Sequence, residues 1–144
     1  MGSEVEKSWL AGFLDGEGCF ALRKNGTNHY QVNIFLSNTA RIALDRVQYW
    51  YAGSIYEYKN VPKGQKRQYR WECPTDSHVV FLEDVIPYLF LKKPQALLVL
   101  EFTKNKKNFL RIKRHMSQEE LDYRESIYLK VRILNRKGDD GNSS

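Results

Sequence analysis

Two carboxylates, Asp15 and Glu17, stand two residues apart in the stretch Trp9-Leu10-Ala11-Gly12-Phe13-Leu14-Asp15-Gly16-Glu17-Gly18. The apolar spacing of Trp9, Leu10, Phe13 and Leu14 predicts a helix over Val5–Leu14, with Ser8 and the flanking acids available to cap it. Gly16 and Gly18 end that helix, so both acids fall where it unwinds and backbone carbonyls open. Such oxygen donors suit Mg²⁺, which takes one or two carboxylates together with phosphate oxygens and water. Ala11, Gly12 and Gly16 are small, and Gly12 and Gly16 lie four apart. This makes a flat strip that a second helix can approach closely. Taken alone, the same residues also fit a solvated turn after a glycine-rich helix end.

The elements around this stretch are legible from periodicity. Cys19–Lys24 alternates and reads as a strand, and Asn25-Gly26 is a hairpin signal. In His29–Ser37, Tyr30, Val32, Ile34 and Leu36 alternate with His29, Gln31, Asn33 and Phe35, which predicts a strand with one apolar and one mostly polar face. Thr39–Tyr51 reads as a helix, broken at Ala52-Gly53-Ser54. Ile55–Tyr58 and Gln68–Glu72 read as two strands joined by a basic turn. Helices follow over about Ser77–Val85, Gln95–Lys104 and Ser117–Asn135, where Ser117 and Glu120 have capping-box spacing. In the last of these, Tyr123, Ile127, Tyr128, Val131 and Leu134 recur as core positions. The expected fold is α+β: one antiparallel four-stranded sheet with helices packed on one face, a single domain over 1–136 and an unstructured polar tail over 137–144.

Bulk composition bounds the function classes. The 144 residues are 42% hydrophobic and 28% charged, an ordinary globular balance. No apolar run is long enough to span a bilayer, so no membrane partner is expected. Two cysteines, Cys19 and Cys73, are too few for a disulfide scaffold or a zinc cluster, which predicts a reducing, intracellular setting. The net charge is +6. Lys59–Arg70 carries five basic residues and no acid, and Lys104–Arg114 carries six and no acid. The acids gather elsewhere, so a basic face and a polyanionic partner are expected.

Leu10 through Gly18 resembles the nine-residue signature of the LAGLIDADG homing endonucleases, position for position, with the common variants Phe13, Leu14, Gly16 and Glu17. The resemblance extends over about Ser8–Leu134. It includes Ile34-Phe35-Leu36-Ser37-Asn38-Thr39 at a strand-to-helix junction, Ala52-Gly53-Ser54-Ile55-Tyr56, and the Lys-x-x-Gln-Ala segment at Lys92–Ala96. It implies a site-specific double-strand DNA endonuclease of the intron-encoded type, cutting a long pseudo-palindromic site. Only one signature copy is present, so it also implies a homodimer in which Trp9, Leu10, Ala11, Gly12, Phe13 and Asp15 form the interface. Glu17, with the Gly16 carbonyl, would bind Mg²⁺; Mn²⁺ would substitute, and Ca²⁺ would bind without supporting cleavage. Lys92, Asn38 and Arg41 would complete the catalytic shell, with Asp15 more a brace than a ligand. No covalent intermediate is implied.

DNA recognition then falls to the sheet. The residues alternating with the apolar set are the expected base readers: Arg23, Asn25, His29, Gln31, Asn33, Tyr56, Tyr58, Gln68 and Arg70. Lys24, Lys59, Lys63, Lys66 and Arg67 are expected at phosphates. Phe35 sits on the polar face, either against a thymine methyl or closing the sheet's end. The run Lys104–Arg114 is expected as a connector, solvated or clamping the DNA backbone. The alternative function is a catalytically silent DNA-binding regulator or an intron RNA splicing maturase, with RNA as its partner. The cytoplasm or an organelle with its own genome is the expected location.

Overall fold

The computed structural model describes residues 2–112 and 116–143; side chains are described up to Lys107 and from Met116 to Arg136. The order is α1 (Glu4–Glu17), β1 (Gly18–Asn25), β2 (His29–Asn38), α2 (Arg41–Tyr51), β3 (Ser54–Glu57), β4 (Tyr69–Glu72), α3 (His78–Val85), α4 (Lys93–Ile112) and α5 (Gln118–Ser143). All three strand pairs are antiparallel and the sheet order is β1-β2-β4-β3. The expected α+β architecture is therefore the observed one.

Helix α1 is longer than expected at both ends. Its cap is Ser3, not Ser8: Ser3 Oγ accepts from the Glu6 amide at 3.1 Å, and Glu6 Oε1 accepts from the Ser3 amide at 3.3 Å. The helix persists through Gly16 and ends at Gly18, where a Cβ would lie 2.9 Å from Leu14 backbone atoms. After α2, Ala52 and Gly53 both take positive φ (63° and 99°). A Cβ on Gly53 would come within 2.4 Å of the Glu72 carbonyl oxygen, so α2 can turn tightly into β3 only with glycine there. Trp71 Nε1 donates to the Ala52 carbonyl across the same turn, at 2.8 Å.

The core lies between the sheet and the helices. Leu10 and Leu14 of α1, Phe20 of β1, Ile34 and Leu36 of β2, Trp71 of β4, Phe81 and Leu82 of α3 and Phe102 of α4 are all fully buried. On α5, Ile127 and Val131 close the layer, with Tyr123 and Tyr128 packed beside them.

Two elements outrun the sequence reading. Helix α4 continues from Lys93 to Ile112, so most of the basic run read as a connector is helical. Past Pro94 in its first turn it holds no Gly or Pro, and Lys and Arg are good helix formers, so charge alone is a poor breaker. Lys113 and Arg114 lie outside the described residues. The backbone of α5 likewise runs helical through Ser143, across the segment read as an unstructured tail. Only half of the expected capping box forms there. Ser117 Oγ accepts from the Glu120 amide, while the Glu120 carboxylate turns to Asn105 and Arg124.

Candidate active site and nucleic-acid face

The end of α1 separates the two signature acids by what they touch. Asp15 turns inward and accepts three backbone N–H groups, from Phe90 at 2.8 Å, Leu91 at 3.1 Å and Lys92 at 3.0 Å. It fastens the last turn of α1 to the segment that opens α4, so it acts as a brace within the chain. Glu17, the final helical residue, is exposed.

Lys92 reaches the same place from the other side. Its Nζ donates to the Leu14 and Gly18 carbonyls, which places a cation at the negative end of the α1 dipole. Burial pulls the Lys92 pKa below the usual lysine range, opposed by Cys19, Asp15 and Glu17. The Cys19 thiol is pushed up by burial and drawn back by Lys92 and Arg70. Lys92 thus lies within electrostatic reach of Glu17 and Cys19, and Cys19 within reach of Arg70. Asn38 and Arg41 do not join them through any described contact. Asn38 Oδ1 accepts from the Ala40 amide at 2.7 Å, an Asx turn leading into α2. Arg41 faces Asp45 at 3.5 Å and the Tyr69 ring at 5.5 Å.

Among the described residues, no group of three or more His, Cys, Asp or Glu gathers to hold a metal within this chain. One exposed carboxylate beside a helix end fits Mg²⁺ only as part of a donor set completed by phosphate, water or a second chain's carboxylate.

The interface expected on α1 needs correcting. Leu10 and Ala11 are 0% exposed and belong to this chain's own core, as their i, i+3 and i+4 relation to Leu14 requires. The outward face carries Val5, Trp9, Gly12 and Gly16 instead. A Cβ added at Gly12 or Gly16 would meet nothing within 4 Å. Trp9 packs edge-on against Phe13 and Trp50, with the Arg46 guanidinium over Trp9 and Trp50. Phe90 (84% exposed) and Leu91 (64%) stand bare beside the Asp15 brace.

The sheet divides its side chains as the alternation predicts. Register pairs Arg23 with Gln31, Asn25 with His29, Ala21 with Asn33 and Tyr56 with Arg70, all on the face opposite the core. Asn25 donates to Gln31 at 3.1 Å, and the Ser37 and Tyr58 hydroxyls meet at 3.0 Å. Gln68 lies just before β4 in phase with Arg70. Lys59, Lys63 and Lys66 are exposed, and Arg67 is exposed but pairs with Glu57 at 3.2 Å.

Lys24 is a correction. It shares the parity of Phe20 and Leu22, so it points to the helix side. There its Nζ meets Glu125 of α5 at 2.9 Å and lies over the Tyr30 and Tyr128 rings. It is not available to a phosphate. In the α4 basic run, Lys106 Nζ donates to the Tyr30 carbonyl at 3.0 Å and Lys104 faces Glu83 at 3.7 Å, while Lys107 remains exposed.

One residue of the open face, Glu72, and one contact, that of Phe35 with Arg70, escaped the sequence. Glu72 is an acid on the open face, and Phe35 carries the Arg70 guanidinium 3.5 Å from its ring centre. Both follow from pairing across three strands, for which the only sequence signal was Phe35 standing out of pattern.

No described helix is long and apolar enough to cross a membrane. The family model for the LAGLIDADG endonuclease matches residues 10–107. The homing endonuclease I-CvuI, solved with the I-CreI target in the presence of Mg and with that DNA not cleaved, is similar at 25% identity and a TM-score of 0.67. That match covers 91% of this chain and 82% of that one. The archaeal intron-encoded homing endonuclease I-Vdi141I, solved with DNA, shares the fold at a TM-score of 0.73 and 16% identity, over 91% of this chain and 84% of that one. Against the meganuclease I-AabMI bound to uncleaved DNA, 85% of this chain covers 43% of that chain, at a TM-score of 0.63 and 20% identity. Comparison with curated protein sequences gave no match. With its signature at the end of α1, its bare four-stranded sheet and a family match spanning most of its length, the chain belongs to the LAGLIDADG endonuclease family.

Proposed function

We infer that this chain is a homodimeric endonuclease that cuts both strands of a long pseudo-palindromic DNA site with the help of divalent metal. The observation that carries this reading is the arrangement at the end of α1: an exposed Glu17 beside the anchored Lys92, with Gly12 and Gly16 bare on the outward face. Among the described residues nothing requires glycine at either position. A second α1 crossing there would explain both, and would bring two Glu17 carboxylates together. That the fold occupies under half of the I-AabMI chain supports the need for a second copy. The interface then comprises Trp9, Gly12, Phe13 and Gly16, extended by Phe90 and Leu91.

Each residue has a defined part. Glu17 and the Gly16 carbonyl offer oxygen donors to Mg²⁺, with Mn²⁺ as a substitute and Ca²⁺ as a non-productive occupant. When bound, the metal supplies Lewis-acid stabilisation of the phosphate and a nucleophile at neutral pH. Lys92 contributes a positive charge at the developing phosphorane, held in place by the Leu14 and Gly18 carbonyls. Asn38 and Arg41 would reach the water network around that phosphate only after leaving their present local contacts. The open sheet face reads bases, and Lys59, Lys63, Lys66 and Arg67 hold phosphates. The location expected is a compartment with accessible DNA.

The test is cleavage of a randomised duplex library in Mg²⁺, in Ca²⁺, and by Glu17→Gln. Discrete double-strand cuts at a near-palindrome in Mg²⁺ alone are expected, with a loss of about 10²–10³-fold in the variant. Selective binding without any cut, in folded dimeric protein, would favour the regulator or maturase alternative.

A further inference from the structure

Arg70 is held differently from the other cations of the sheet face. It lies on β4 opposite Ser37 of β2 and Tyr56 of β3. Its guanidinium rests 3.5 Å from the Phe35 ring centre. Its Nε is 3.1 Å from Glu72 Oε1, near enough for an ion pair, though buried and not aligned for a hydrogen bond. The Arg70 side chain is only 22% exposed. With Nε covered, its terminal nitrogens are the groups left to meet a base edge. Glu72, at 39% exposed, keeps its second oxygen. Arg23, Tyr56, Glu57, Tyr58, Arg70 and Glu72 bound a hollow of about 350 Å³ on this face, with Glu57 already paired to Arg67.

The position of this cluster is also defined. Phe35 pairs with Cys19 on one side and with Glu72 on the other. Cys19 follows Glu17 by two residues, and its thiol feels both Lys92 and Arg70. By strand rise and spacing, the backbone at Phe35 is about 10 Å from that at Glu17. This corresponds to about three base-pair steps.

Resting on the endonuclease reading above, we propose that Arg70, Phe35 and Glu72 together read one G·C base pair in each half-site, within about three steps of the cut. A guanidinium only donates and a carboxylate only accepts. Guanine offers two acceptors, O6 and N7, and its cytosine offers the N4 donor. The Arg70 terminal nitrogens meet the guanine, and the free Glu72 oxygen accepts from cytosine N4. Phe35 is a positioning residue that fixes the plane of the fork. An A·T pair would set the adenine N6 donor against the guanidinium and the thymine O4 acceptor against the carboxylate, so both contacts would turn unfavourable.

The test is binding selection from a randomised duplex library in Ca²⁺, followed by cleavage mapping in Mg²⁺. It would use the full chain and the variants Arg70→Gln, Glu72→Gln, Phe35→Ala and Phe35→Tyr, each checked for folding by thermal melting. The wild type is expected to require G·C at one position per half-site near the cut. Arg70→Gln should weaken that preference by about 5- to 150-fold and leave the other positions as they were. Glu72→Gln should weaken it less. Phe35→Ala should blur it while Phe35→Tyr keeps it; should Phe35→Ala fail to fold, Arg70→Gln and Phe35→Tyr still decide. An unchanged Arg70→Gln profile, or a change at a position that was not G·C, would overturn this proposal alone. A wild type that selects no sequence at all would overturn the endonuclease reading, and this proposal with it.

Discussion

The two faces of the sheet are made by the same strands, yet their polar groups are in opposite states. On the covered face the polar groups that meet the helices have protein partners: Lys24 is held by Glu125, the Tyr30 hydroxyl also meets Glu125, and the Tyr30 carbonyl accepts from Lys106. On the bare face His29, Gln31 and Asn33 alternate along β2 toward solvent, with contacts confined to neighbours such as Asn25 and Gln31. A buried donor or acceptor must be satisfied by the fold, whereas an exposed one keeps its hydrogen-bonding capacity for a ligand. The same division recurs within α1, where Asp15 is wholly occupied by backbone amides and Glu17 stays open. The lesson is that charge alone does not mark a functional residue here. The face it is carried to does.

The largest effect expected from this contrast is at Asp15. Asp15→Ala removes three charge-assisted hydrogen bonds and leaves the amides of Phe90, Leu91 and Lys92 unserved, which should cost about 2–4 kcal/mol of folding stability in denaturant titration. Glu17→Gln should stay within about 0.5 kcal/mol of wild type in the same titration. Equal losses from the two variants would erase the distinction between brace and ligand.

A pair of lysines tests the sheet itself. Lys63→Ala should lower the salt dependence of DNA binding by about one in slope and leave the melting temperature in place. Lys24→Ala should do the reverse, lowering the melting temperature and leaving the slope alone. If Lys24→Ala moved the slope instead, Lys24 would belong to the DNA face after all.

The smallest effect is at His78, which is nearly buried in α3 with Nε2 3.1 Å from the Cys73 carbonyl. Burial pulls its pKa below the usual histidine value. Lys106 and Lys107 act in the same direction, and the Cys73 contact and Asp76 oppose it. The unfolded chain therefore takes up this proton first as pH falls. The stability that His78 contributes is complete above pH ~6.5 and is lost as pH falls through the lowered folded value. Melting temperatures measured downward from pH 7 should show this loss, and His78→Gln should flatten it.

Much of the fold was legible because it rests on local period. The alternation from Tyr30 to Leu36 identified the core face of β2, and the breaks at Asn25-Gly26 and Ala52-Gly53 fell where positive φ is found. The errors came where one residue had to be placed against something distant. Lys24 was read by its charge, although its phase with Phe20 and Leu22 already put it on the covered side. Leu10 and Ala11 look like interface residues only while the signature is taken as a single strip. The helical period splits that strip into a core stripe and an outward stripe of glycines. The Arg70–Phe35 stack and the Asp15 brace join segments far apart in sequence, and no local pattern encodes either.

Helix α4 carries one further consequence. It begins where Lys92 grips the Gly18 end of β1, and fourteen residues later Lys106 grips Tyr30 at the opposite end of the paired strands. At 1.5 Å per residue that is about 21 Å of unbroken helix, close to the length of six base-pair steps. The helix is in effect a ruler laid along the sheet, fixing how far Lys106 stands from the Glu17 end of α1. Lengthening it by a single residue would turn everything beyond the insertion by about 100°, so its graduation is set in whole turns.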